Sequence, residues 1–206
     1  DEMINDNAFS HKHTLTLTGG SDKANVYASL MYGDDNGIIK KNSRTDYSGR
    51  LNANFNMFKN RVQLNVRLQV RRSTRVNFGG NSGLYTAMQA NPTIPLMDPD
   101  NPNQYNVDNY GLTGTNTSPV ADIMYRDGRT NDQWITGTGT IKYHVIKGLD
   151  LIGTANIDLR ESRTWLWWDP LHRSMQDTGK NGKASHSFGR DRYNSYEAYA
   201  SYKLDF

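Results

Sequence analysis

Three tryptophans fall within four residues, Trp165, Trp167 and Trp168, and Asp169-Pro-Leu-His172 follows them. Indole faces beside polar groups suit stacking on sugar rings, and the same residues at the edge of an apolar belt suit an interfacial girdle; the spacing leaves both readings open. Asp158, Glu161, Asp169 and Glu197 are of the residue type that glycoside hydrolysis uses in pairs about 5–10 Å apart. Nothing in the sequence sets such a separation, so no catalytic residue is assigned and no enzyme activity is expected. His11 and His13 straddle one residue, which on a strand puts both on one face. Two imidazoles with no third ligand nearby read as ordinary polar residues, and no metal or other cofactor is assigned. With no cysteine in the chain, thiolate chemistry and disulfides are excluded.

The elements that must position these residues are β-strands. Arg61 to Arg71 alternates strictly, with Val62, Leu64, Val66, Leu68 and Val70 on one face and Gln63, Asn65, Arg67, Gln69 and Arg71 on the other. Leu51, Ala53, Phe55 and Met57 lie likewise opposite Arg50, Asn52, Asn54 and Asn56. Five further strands read as Lys12–Gly19, Ala24–Gly33, Gln133–Val145, Leu149 to about Arg163, and Arg192–Phe206, giving about seven long strands in an all-β antiparallel meander. Pooled, the apolar face carries no charge. The polar face carries Lys12, Arg50, Arg67, Arg71, Lys142, Arg160 and Lys203 against Asp158, Glu197 and Asp205. That basic excess is expected to create positive potential on this face; pairing with residues absent from this chain is its expected role, and a contribution to solute selectivity the secondary one. No nucleic-acid motif accompanies it, and nucleic acid is not expected as a partner.

Connections alternate between tight and long. Gly19–Lys23, Phe58–Asn60 and Ile146–Gly148 are short turns, whereas about 34–46, 77–132 and 165–191 are long loops. In a meander every short turn then falls on one rim and every long loop on the other. A serine cap and helix formers predict a short helix over 82–90, before Asn91-Pro-Thr-Ile-Pro95 stiffens the longest loop.

Composition leaves two homes for such strands. The 206 residues have a net charge of +3, a mean hydropathy of −0.79 and no apolar run long enough for a spanning helix of about 20 residues; Asp1 opens a polar stretch unlike a secretion signal. Alternating strands suit a soluble β-sandwich, or a transmembrane barrel whose signal per strand is weak. Three features favour the barrel. Small residues such as Ala28, Gly49, Gly137 and Gly139 would fill a sandwich core thinly; aromatics such as Tyr32, Tyr47, Phe58 and Tyr143 collect at strand ends; and the alternating runs match the roughly 9–11 residues of a spanning strand.

The stretch His13 to Ile38, which reads Thr-Gly-Gly at 18–20, a short turn and a tyrosine-bearing strand before Gly37-Ile38, resembles the SusC/RagA family of TonB-dependent outer-membrane transporters. Members typically show Ser-Gly-Gly at the first of these places. The resemblance continues through Tyr47-Ser-Gly-Arg-Leu-Asn, Ala90-Asn-Pro-Thr-Ile-Pro-Leu-Met-Asp-Pro-Asp100, Ser118-Pro-Val-Ala121 and Ile146-Lys-Gly-Leu149. It implies that residues 1–206 are part of one transmembrane barrel of 22 strands, about the second to the eighth. Short turns would then be periplasmic, with 77–132 and 165–191 as extracellular loops. It implies import of a large solute, an oligosaccharide or peptide, across the bacterial outer membrane. The implied partners are outer-membrane lipid, a SusD-like surface lipoprotein, and TonB reached through an N-terminal region this sequence does not contain. On this reading Tyr85, Asn91, Trp165, Trp167 and Trp168 are the ligand-binding candidates on the long-loop rim. Arg50, Arg67, Arg71, Lys142, Asp158, Arg160 and Glu197 are the expected lumen-facing charges. The alternatives are a secreted glycan-binding β-sandwich and a small outer-membrane barrel independent of TonB, for which Tyr202-Lys-Leu-Asp-Phe206 resembles an aromatic C-terminal insertion signal.

Overall fold

The structure, a computed structural model, describes residues 2–76, 87–88, 90–108 and 118–203. They form one seven-stranded antiparallel sheet in the order of the sequence: β1 Ser10–Gly20, β2 Ala24–Asn36, β3 Ser43–Met57, β4 Val62–Val76, β5 Arg126–Ile146, β6 Leu149–Trp168 and β7 Lys183–Tyr202. Among the elements described in full, two short helices, α1 Pro119–Met124 and α2 Arg173–Gln176, stand in the connections at one end. The sheet is open, since β1 and β7 do not pair with each other.

Register sorts the side chains. Directly opposed residues share a face, so the row Leu15–Leu30–Gly49–Val70–Ile135–Leu159 crosses six strands on one side. The next row on that side, His13–Tyr32–Tyr47–Arg72–Gln133–Glu161, is aromatic and polar. Ser48, Arg71, Trp134, Arg160 and Asp191 cross on the other side. From β1 to β6 the apolar band therefore ends at one height and gives way to aromatic, polar and charged residues, whereas on β7 it ends lower, Arg192 facing Leu159 and Asn194 facing Ile157.

The ladders run further than the apolar alternation does. β4 continues to Val76, β5 begins at Arg126, β6 continues to Trp168 and β7 begins at Lys183, so the long connections are 77–125 and 169–182 rather than 77–132 and 165–191. The first connection shrinks likewise to 37–42. Backbone pairing persists where outward side chains become Thr74, Asn131, Glu161, Arg163 and Arg190. Hydrophobic period marks how far the apolar face extends, whereas hydrogen bonding alone marks the strand.

The short turns are built by backbone conformation. Phe58, Lys59 and Asn60 follow one another at φ of 53°, 56° and 67°, a left-handed run that closes with Arg61 N–H donating to the Phe58 carbonyl. Gly148 at φ 83° reverses β5 into β6, where its missing side chain leaves room for the Lys203 carbonyl.

Very little of the sheet is buried. Among the described residues the buried apolar side chains are Ala53 within the sheet and Val120, Ala121, Ile123 and Met175 in the two helices. The one compact core thus lies at the long-loop end, under a cap made from the connections.

Candidate functional site: the polar wall and its loop cap

The seven charges expected on one face are all there: Arg50, Arg67, Arg71, Lys142, Asp158, Arg160 and Glu197 fall on the polar side by register. Their surroundings divide them. Arg71 reaches Asp46 at 3.3 Å and lies over the Trp134 ring at 5.2 Å; Lys142 reaches Asp150 at 2.8 Å; Arg160 and Asp158 meet at 3.2 Å. Arg50, Arg67 and Glu197 make no side-chain hydrogen bond or ion pair among the described residues. Arg50 and Arg67 sit diagonally across the β3–β4 ladder, through the pairs Arg50–Gln69 and Asn52–Arg67, and line a shallow depression with Asn52 and Thr138.

The wall also carries acids that the sequence reading left out. Asp46 receives Arg44 at 2.8 Å besides Arg71, and Asp132, almost fully buried, receives Arg75 at 2.6 Å and the Ser162 hydroxyl at 2.6 Å. The signal was present: Asp46 has the parity of Arg50, and Asp132 that of Thr136. Both fall where apolar alternation has stopped, so strands ended on hydrophobicity exclude them. Arg44 and Arg75 share this face, so both acids are met by bases, and Arg50 and Arg67 stay without a side-chain partner among the described residues.

The tryptophans do not form one platform. Trp165 and Trp167 project on the face of the apolar band and Trp168 on the polar face, because adjacent strand residues point to opposite sides. Trp165 lies six residues beyond Leu159, the last apolar member of its face on β6, at about 3.3 Å per residue, and Glu161 and Arg163 come between. Trp167 packs against Gly182, where φ is 95° and a Cβ would come within 2.8 Å of the ring. Trp168 lies between two cations from its flanking strands, with the Arg126 guanidinium 5.6 Å and the Lys183 ammonium 4.8 Å from the ring centre.

Around Trp168 the cap is fastened by a polar cluster. His172 is buried and caps α2, its Nδ1 accepting the Ser174 N–H at 3.2 Å and contacting the Ser174 hydroxyl at 2.7 Å. Its Nε2 meets Asp122 at 2.9 Å, and Arg126 donates to both oxygens of the same carboxylate at 3.2 Å. Burial pushes the Asp122 carboxyl up, but the bond from His172 and the Arg126 guanidinium outweigh it and hold the group below the ordinary aspartate range. The Ser174–His172–Asp122 order resembles a nucleophile relay, but Nδ1 already serves as the acceptor for the helix amide, which accounts for the geometry as a cap. Lys41 ties the neighbouring connection in, donating to the carbonyls of Met124 and Arg126 at 2.8 and 3.1 Å and pairing with Asp127 at 3.0 Å.

Of the remaining candidates, Tyr85 and most of the expected 82–90 helix lie outside the described residues. Asn91 is described, and its side-chain oxygen accepts from the Thr93 amide and hydroxyl at 3.0 and 2.8 Å, which makes it a turn builder at the head of the proline segment. Beyond it a small hairpin closes through Met97 and Tyr105, and buried Asn106 bonds the Pro95 carbonyl at 3.0 Å and the Asp108 amide at 2.9 Å. Arg173 then joins this hairpin to α2 through the Val107 carbonyl at 3.1 Å. The carboxylates also separate: Glu161 lies on the face opposite Asp158 and pairs with Arg190 at 3.2 Å, while Asp169 accepts the Leu171 amide at 2.9 Å. His11 and His13 share a face, as their spacing requires, and pack edge-on beside Tyr32 at the upper margin of the apolar band.

No protein-family model matches the chain, and no curated protein matches it. Solved structures do. The RagAB peptide transporter aligns with a TM-score of 0.69 at 20% identity, covering 95% of this chain and 22% of that one. The RagAB peptide importer in its closed-closed state aligns at 0.73 and 20% identity, over 96% and 22%, and in its open-open state at 0.72 and 21% identity, over 95% and 22%. This chain thus spans about a fifth of the length of the proteins it matches, and the likeness shows that its antiparallel sheet has the fold of a segment of them.

Proposed function

We propose that this chain is part of the wall of a TonB-dependent outer-membrane importer, with its apolar band in lipid and its polar face toward a lumen. The observation that carries the reading is a single-layer sheet sorted into two faces, with a band from Val62 to Val70 uncovered on one and unpaired Arg50 and Arg67 on the other. A soluble sandwich would cover that band with a second sheet, and the described residues form only one. An open sheet with two free edges is likewise no closed small barrel. In the proposed barrel, strands from outside this segment pair with β1 and β7, and a plug places carboxylates against Arg50 and Arg67. The cap at the long-loop rim is extracellular, beside a SusD-like lipoprotein. The solute is a peptide or an oligosaccharide, met near Trp168 and the Asn91 turn.

The test is uptake by cells carrying the complete protein, with labelled peptide and oligosaccharide pools, in the presence and absence of TonB. Import of one pool that disappears without TonB is the expected result. Import that persists unchanged without TonB would sink the reading.

A further inference from the structure

The apolar face is not evenly filled. In the row Leu15–Leu30–Gly49–Val70, β3 contributes a glycine between two large aliphatic side chains. Leu30 is 63% exposed and has no side chain beside it on β3. The resulting groove has these four residues as its apolar floor and is topped by the row His13, Tyr32, Tyr47 and Arg72. Arg72 and Val70 are successive outward positions of β4, so the guanidinium stands directly above the apolar floor. It is exposed and has no hydrogen-bond or ion-pair partner among the described residues. On the polar face, Arg71, Arg75 and Arg160 all have acids within 3.3 Å.

We propose that this groove binds one membrane lipid whose headgroup is a net-anionic phosphate, with an acyl chain over Gly49 and the phosphate on Arg72. The proposal rests on the reading that this face meets lipid. Charge and position select the occupant. An unpaired guanidinium at the upper margin of an apolar band, beside a tyrosine hydroxyl, matches a phosphate at headgroup depth and offers it two parallel N–H donors. The groove below it is predominantly apolar, as a hydrocarbon chain requires.

The test uses the complete barrel purified in mild detergent and exchanged into equal mixtures of dioleoyl phosphatidylglycerol and dioleoyl phosphatidylcholine, with retained lipid counted by native mass spectrometry. The expected result is one retained phosphatidylglycerol. Arg72→Gln should lower its retention about tenfold, and Arg72→Lys should restore most of it. Gly49→Leu should displace it while leaving the fold intact, since a Cβ at Gly49 meets only a Leu30 methyl at 3.5 Å. Equal retention of the two lipids, retention unchanged in Arg72→Gln, or a second copy of the protein in place of lipid each overturns the proposal. A nitroxide at position 64 separates the two levels of inference. If a water-soluble nickel chelate quenches it, the lipid-facing reading fails and this proposal with it. If only oxygen reaches it and phosphatidylglycerol is not preferred, this proposal alone fails.

Discussion

Ile123 is fully buried, whereas Leu15, equally apolar and in the regular part of the molecule, is 58% exposed. The first belongs to the loop cap and the second to the strand wall, and the two regions solve the burial of apolar surface in opposite ways. A single sheet has two faces and can cover neither by itself. The wall keeps its geometry through ladders that satisfy the backbone and leaves its side chains to whatever medium lies on each side. The cap has few regular hydrogen bonds, so it closes a small core of Val120, Ala121, Ile123 and Met175 and fastens it with Asn106, Asp122 and His172. Regularity and self-sufficiency are thus separated in this fold: the most ordered pattern depends on its surroundings, and the irregular part does not.

The sharpest way to break that contrast is to hollow out the cap. Ile123→Ala should cost about 2–5 kcal/mol of cap stability, as for other buried large-to-small changes. Hydrogen exchange should then rise through 118–125 and 169–177 while β4 and β5 stay protected. Loss of protection in those strands as well would show that the two regions fold as one unit. The wall gives the complementary experiment. Val66 is the central outward residue of β4, and Val66→Arg should cost about 2–4 kcal/mol in a bilayer, whereas Asn65→Arg on the other face should cost little. Equilibrium folding of the complete barrel into vesicles measures both, and equal penalties would deny the assignment of faces.

A smaller effect should follow pH. Asp122 has a carboxyl held below its unfolded value of 3.8, so its contribution to the cap is complete above that value and is lost as pH falls through the lowered one. Proteolysis of the cap should therefore accelerate only in strong acid, with little change near neutrality. Asp122→Asn should weaken the cap at neutral pH by roughly 1.5–3 kcal/mol, the scale of a charge-assisted hydrogen bond, and should flatten the acid limb. An acid limb that persists in the variant would assign it to another group.

The two regions were also unequally legible in the sequence. In the wall, alternation from Val62 to Val70 identified a strand, its faces and its neighbours, and the tight turns fixed the meander. Alternation lost the strand ends, where Thr74, Asn131 and Glu161 face outward yet remain in the ladder. That error moved Asp46 and Asp132 out of view and put Trp165, Trp167 and Trp168 in a loop, although they end β6. In the cap, the Ser118-Pro pair begins a helix that the sequence reading does not name, the Ser118 hydroxyl accepting from Ala121 N at 3.4 Å. The pairing of Asp122 with His172 joins residues fifty positions apart, and no local period carries it.

The smallest effect separates the tryptophans, and it follows from parity alone. Trp168 faces the polar side with Arg126 and Lys183 over its ring, whereas Trp165 stands on the opposite face, 44% exposed, beyond Glu161 and Arg163. If solute is met on the lumen side of the rim, removing the first indole removes a surface the solute touches and removing the second does not. Each cation contact to Trp168 is worth about 0.5–1 kcal/mol, so Trp168→Ala should leave assembly intact. The same substitution removes the ring beside Lys183, whereas Arg126 keeps Asp122, so it should alter selectivity as well as affinity, shifting uptake toward acidic solutes. Trp165→Ala should leave uptake unchanged. Uptake by both variants, normalised to folded barrel at the cell surface, reads the difference. Equal losses from the two variants would mean that the aromatic rim acts on assembly or on the lipoprotein partner, and the placement of solute beside Trp168 would then be wrong.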